Sequence, residues 1–194
     1  MATDWAFYHL TRPMGLLAIA FAIALPFGIW RLLMGKSFAS FGIKPLAAGY
    51  VAALTGLVLL NFISSYSEFT NRVERGVLEE AGRWATVLGW TLYTGVLSSV
   101  FVLPVLGLLG VPTVALLLKS GRLGYRSGGV VLVLFWLLLT VGLWSVPTNT
   151  WHETHRLESL RMILFEVLPG ILAIGIPFLG AVLLTTRSAR HAGT

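Results

Sequence analysis

The sequence predicts an all-α, polytopic membrane protein with about five transmembrane helices and one amphipathic interfacial helix. Three observations carry that expectation. First, 56% of the 194 residues are hydrophobic and only 11% are charged, with a mean hydropathy of +0.83, too little polar surface to coat a water-soluble core. Second, the Lys, Arg, Asp and Glu residues all avoid the long apolar runs, with Glu166 the one exception. Third, these runs are about as long as the ~20 residues that a helix needs to cross ~30 Å of hydrocarbon, and they lack the alternation of barrel strands. Only helices and closed barrels satisfy their backbone groups in lipid. The length fits a single integral membrane domain over 1–194.

The first span is expected over residues 13–30. Asp4 precedes Arg12 and the apolar run is a full span long, so residues 1–34 read as a retained helix and not a cleaved leader. Arg31, Lys36 and Lys44 follow as a basic loop. The second span covers 45–63, where Ala48, Ala52 and Gly56 repeat every fourth residue and present a small-residue packing face.

Residues 66–84 change character. Phe69, Val73, Val77, Ala81 and Trp84 fall on one stripe, while Glu68/Arg72, Arg75/Glu79 and Glu79/Arg83 are spaced for i,i+4 pairing. An amphipathic helix on the membrane surface is expected here; the alternative is a solvated extension of the third span.

Residues 85–118 are free of charge, too long for one untilted crossing and too short for two. Pro104, Gly107, Gly110 and Pro112 interrupt them. One kinked or broken crossing, its core at 85–110, is preferred to a span plus a re-entrant segment. Lys119, Arg122 and Arg126 form a second basic loop, span four covers 128–146 and span five 162–186, followed by Arg187, Arg190 and His191.

The two basic loops and the C-terminal segment carry no acid, whereas the opposite loops hold every Asp and Glu apart from Glu166. The positive-inside rule then places the N-terminus outside and the C-terminus in the cytoplasm of a cell (inner or plasma) membrane. Trp5, Trp84, Trp144 and Trp151 fall at the expected outer boundary as an aromatic belt. The net charge of +6 is explained by these loops, so nucleic acid is not an expected partner.

Three groups of residues bear on chemistry. Val102-Leu103-Pro104 and Val167-Leu168-Pro169 are followed, at one spacing, by Gly110-Val111-Pro112 and Gly175-Ile176-Pro177. Each proline removes a donor and frees a carbonyl, and paired Gly/Pro-interrupted helices point to transporter sites. Pro104 and Pro169 therefore join Glu166, the one intramembrane acid, and Asn61 as candidate substrate- or ion-binding residues. Asn61, Thr94, Ser98 and Ser99 are the candidate donors to a buried Glu166; a start of span five after Glu166 would leave it at the wet interface. His152, His155 and Glu153 are candidate metal ligands, although the spacing is not that of a His-Glu-x-x-His zinc helix.

The absence of cysteine excludes thiolate chemistry and Cys-ligated clusters, and haem is disfavoured because no histidine lies in a span. No catalytic residue set is identified. The leading expectation is a non-catalytic integral membrane subunit packing among lipids with other membrane subunits or with itself as a homo-oligomer. The alternatives are a small transporter or channel using the Pro-broken helices and Glu166, and a membrane enzyme acting on a lipid or quinone at the outer interface.

Overall fold

The computed structural model describes residues 13–35, 42–76, 83–145 and 155–192, with side chains described from 24 to 188 except at 100 and 101. All regular structure among the described residues is helical. We number the helices α1 (Pro13–Met34), α2 (Lys44–Glu74), α3 (Arg83–Val105, Leu106–Gly110 and Val111–Lys119 in unbroken succession), α4 (Tyr125–Ser145) and α5 (Arg156–Gly170, Ile171–Gly175 and Ile176–Ala192). Helices α2 to α5 are each long and apolar enough to cross a membrane, and α1 is a further apolar helix of 22 residues. The fold is that of a helical membrane protein.

The ends of the helices sort by charge. Arg31, Lys44, Lys119, Arg122, Arg126 and Arg187 lie at one end, where no acid occurs among the described residues. Glu68, Arg72, Glu74, Arg83, Arg156, Glu158 and Arg161 lie at the other. Cation–π contacts tie both ends. The Arg187 guanidinium lies 4.9 Å from the Tyr125 ring centroid at the basic end, and Arg156 lies 5.1 Å from that of Trp144 at the mixed-charge end.

The well-packed core occupies the basic half. Trp30, Met34, Leu46, Tyr50, Val114 and Phe178 are among its buried members. Trp30 has no exposed surface, and its indole N–H donates to the Gly42 carbonyl at 2.9 Å. That bond fastens the end of α1 to the approach of α2. The tightest helix pair is α2 against the second half of α5. Gly49 permits it, because a Cβ there would fall 2.9 Å from both Phe178 and Val182. The buried small residues of α2 are Gly49, Ala53 and Gly56, while Ala48 and Ala52 are only half-buried. The packing face thus keeps Gly56 but is otherwise rotated by one residue from the Ala48–Ala52–Gly56 face expected from the sequence. The bulk of Leu46, Tyr50 and Leu57 decides which residues face inward.

The expected surface helix over 66–84 is not a separate element among the described residues. Residues 66–74 are the last turns of α2, which runs 31 residues without a break, about 46 Å at 1.5 Å per residue, and so projects beyond the hydrocarbon. The local pattern is nonetheless used. Glu68 and Arg72 pair at 2.7 Å. Both are more than half exposed, so the pair adds little stability. The Arg83 guanidinium bonds the Tyr66 hydroxyl at 2.6 Å and Thr70 at 3.2 Å, and sits over the Tyr66 ring. Glu79 and Glu80 lie outside the described residues, as do Trp5 and Trp151 of the expected belt.

The long apolar stretch is neither broken nor re-entrant. α3 continues from Arg83 to Lys119 through one π-helical turn at Leu106–Gly110. The Val111 N–H reaches back five residues to the Leu106 carbonyl. α5 has the same device at Ile171–Gly175. In each helix the turn starts two residues after Pro104 or Pro169 and ends two before Pro112 or Pro177. A proline ring clashes with the carbonyl four residues earlier, and widening the helix immediately ahead of it is the local adjustment that lets a membrane helix continue. The interruption expected between Pro104 and Pro112 thus takes the form of a π turn within one continuous helix, without a break.

Ala173 stands four residues before Pro177, the position whose carbonyl a proline deprives of its α-helical donor. That oxygen faces Gly56, so closely that a Cβ on Gly56 would overlap it. Approach of a glycine Cα to a carbonyl is the arrangement of a weak Cα–H···O bond. Gly56→Leu is therefore expected to destabilise the protein by about 2 kcal/mol through overpacking. Gly142→Ala, where an added Cβ meets nothing within 4 Å, should leave stability unchanged. Thermal melts of the two variants in detergent measure the difference; equal melting temperatures would refute the contact.

Candidate functional site

The paired π turns face one cavity. It encloses about 300 Å³ between α3, α4 and α5. Leu106 and Gly110 of the first π turn, Ile171, Ile174 and Gly175 of the second, and Phe135 of α4 belong to its wall. The lining is almost entirely hydrocarbon. The internal similarity in the sequence therefore marks one place in the fold, and Gly110 of the first copy and Gly170 and Gly175 of the second line the wall. α4 closes it only in part, because it packs mainly on α5. Two indole bonds hold α4 there: Trp136 N–H to the Leu164 carbonyl at 2.8 Å and Trp144 N–H to the Arg156 carbonyl at 2.9 Å.

A second cavity, of about 210 Å³, has several polar side chains in a largely apolar wall and lies between α2 and α3 near the mixed-charge end. Asn61, Ser65, Glu68, Arg72, Thr86 and Thr94 line it. Two of its polar side chains bond back to their own helices. Asn61 donates to the Leu57 carbonyl at 2.9 Å and Thr94 to the Trp90 carbonyl at 2.7 Å. Ser99 likewise donates to Val96 at 2.7 Å. Back-bonding of this kind satisfies a polar side chain in lipid without a partner helix. It leaves no polar chain running across the bundle among the described residues.

The structure places the candidate residues apart. Glu166 is exposed on α5 and takes part in no hydrogen bond or ion pair among the described residues. It stands five residues after Arg161 near the start of the apolar stretch, with its carboxylate exposed at the surface of the bundle, and among the described residues none of the expected donors Asn61, Thr94, Ser98 and Ser99 bonds to it. Asn61 belongs to the second cavity. Pro104 and Pro169 belong to the approaches of the apolar one and act through backbone geometry, with no side-chain polar atom to offer. His152 and Glu153 lie outside the described residues. His155 is exposed at the residue preceding α5. Among the described residues no three His, Cys, Asp or Glu side chains gather as a metal site would require.

Two features escaped the sequence reading. The π turns themselves were signalled by the repeated eight-residue spacing of the prolines, a spacing that leaves room for one wide turn between them. The other is Tyr50. Its ring stacks on Phe27 at 6.0 Å and meets Phe178 edge-on at 5.9 Å, while its hydroxyl is buried and unbonded among the described residues. A tyrosine in an apolar run carries no sequence signal for such a position.

Because Glu166 has no partner among the described residues, Glu166→Gln is expected to shift stability by less than about 0.5 kcal/mol. Trp136→Phe removes the bond to Leu164 and should cost about 1 kcal/mol. Melting curves of both variants against the parent check this; a strongly destabilised Glu166→Gln would show that the carboxylate has a structural partner.

Comparison with protein-family models, with curated proteins and with solved structures finds no match, so the functional reading rests on the geometry.

Proposed function

We propose that this chain is a non-catalytic integral membrane subunit that packs within a larger membrane assembly. The observation that carries this reading is the surface of α4. Val130, Val133, Leu134, Leu137, Leu138 and Val141 all point outward, and only Gly128 and Thr140 of the helix are buried. A helix held to its own chain by one neighbour and two indole bonds is well suited to being sandwiched by another subunit. The back-bonding of Asn61, Thr94 and Ser99 and the outward carboxylate also leave a substrate fewer groups to bind inside the bundle. In this reading the protein sits in the cell (inner or plasma) membrane with the basic ends of the helices in the cytoplasm, the N-terminus outside and the C-terminus inside.

The paired π turns favour a second reading, a small transporter, because π turns in α-helices are frequent at functional sites. Extraction in a mild detergent followed by mass identification of companions separates the two. Stoichiometric unrelated membrane subunits support the assembly reading; a homo-oligomer that conducts ions or solutes in vesicles, with flux lost in Glu166→Gln, supports the transporter.

Orientation is tested on a chain that contains no cysteine of its own. Cysteine placed at Ser67, exposed on the projecting part of α2, should react with an impermeant thiol reagent in intact cells. Cysteine at Ser120, exposed after α3, should react only after permeabilisation. The reverse pattern would invert the proposed topology.

A further inference from the structure

We propose that the groove between α3 and α4 holds one anionic phospholipid as a resident ligand, with an acyl chain in the apolar cavity and the phosphate at the basic loop below it. The cavity and the charges are parts of one feature. Lys119 ends α3 and Arg126 is the second residue of α4. Arg122 sits on the loop joining them, so three cations crown the groove that separates these two helices. Each is exposed.

The register along the helices fits a lipid. The cavity begins at Val114 on α3 and Val131 on α4, each five residues, or about 8 Å, from Lys119 and Arg126 respectively at 1.5 Å per residue. It ends at Val102 and Leu139, some 12 to 18 Å further along by the same rise. A headgroup at the loop would thus direct its chain up a slot of acyl-chain depth. The slot exists because the π turns and the glycines Gly110, Gly170 and Gly175 withdraw side-chain volume from that wall.

The headgroup end is prepared for an anion in two further ways. The first N–H groups of a helix lack partners within it, and those of α4 open at this loop with the positive end of the helix dipole. Ser127 folds back, accepting from the Gly124 N–H at 2.9 Å and donating to the Arg122 carbonyl at 2.6 Å, which fixes the loop between the cations. No acid occurs at this end among the described residues. Basic pockets between transmembrane helices are a general means of binding anionic headgroups, and a dry hydrocarbon cavity is stabilised by an apolar occupant.

The test uses the full chain reconstituted in nanodiscs of equal phosphatidylglycerol and phosphatidylcholine, then released for native mass spectrometry. The parent protein is expected to retain about one phosphatidylglycerol per chain, preferred about tenfold over phosphatidylcholine. The triple variant Lys119→Gln/Arg122→Gln/Arg126→Gln should lose that preference. Val131→Phe and Ile174→Phe fill the cavity with the charges intact and should each reduce retention of either lipid severalfold. Should a filling variant fail to fold, the triple variant, altered only at exposed positions, still decides the outcome. Parent protein that retains no lipid, retains both equally, or keeps its lipid undiminished in a folded filling variant would overturn the proposal. So would an isoprenoid or a partner helix found in the cavity in its place. None of these results bears on whether the chain has companion subunits.

Discussion

Every backbone carbonyl in the hydrocarbon needs a donor, and this chain places seven of its eight prolines within described helices, at positions 13, 26, 45, 104, 112, 169 and 177. In water an orphaned carbonyl would simply be hydrated. In lipid each one has to be answered by the fold. The answers organise the molecule. Pro45 opens α2, where its missing N–H is one that no helix uses. Pro112 and Pro177 follow widened turns. The Ala173 carbonyl is received by Gly56 of a neighbouring helix, which brings α2 and α5 into the closest packing in the structure.

That backbone constraint also explains why the two halves of the bundle differ. Toward the basic end, glycines and alanines let α2 approach α5, and Trp30, Tyr50 and Phe178 fill the space left between α1, α2 and α5. Toward the mixed-charge end the helices are joined by polar and aromatic ties instead: Arg83 on Tyr66, Trp136 on Leu164, Trp144 on Arg156. Such ties fix helices without filling volume. The cavity lies at the border between the two regimes, where the π turns widen α3 and α5 and α4 leans on only one of them.

The helical, membrane-embedded character was legible from charge placement, because lipid tolerates so few charges that their absence marks the spans. The site of the π turns was legible too, since prolines eight residues apart in two helices leave a recurrent signature. What the residues did not disclose is how neighbours respond. Gly56 was visible as a small residue, but only the path of α5 shows that it faces Ala173. The sequence pattern of residues 66–74 was amphipathic, and pattern alone does not distinguish a helix lying on a membrane from the end of one emerging from it. For Glu166, position along the chain left its facing open; it is exposed in the first part of α5, ahead of the π turn, where Ser159 is the buried residue.

A π turn contains one residue more than the α-helix around it would, and at 3.6 residues per turn one residue is about 100° of rotation. Such a turn is what a single-codon insertion leaves behind when the flanking helices are kept. In α3 it uncouples two faces. The buried residues Val111, Val114, Ala115 and Leu118 beyond the turn and Val87 and Thr91 before it belong to different phases of the helix. The same shift occurs in α5, so the two helices re-phase together at matching depth. A gene in which only one of the two extra residues were lost would therefore swing one set of inward side chains toward lipid while its counterpart stayed in place.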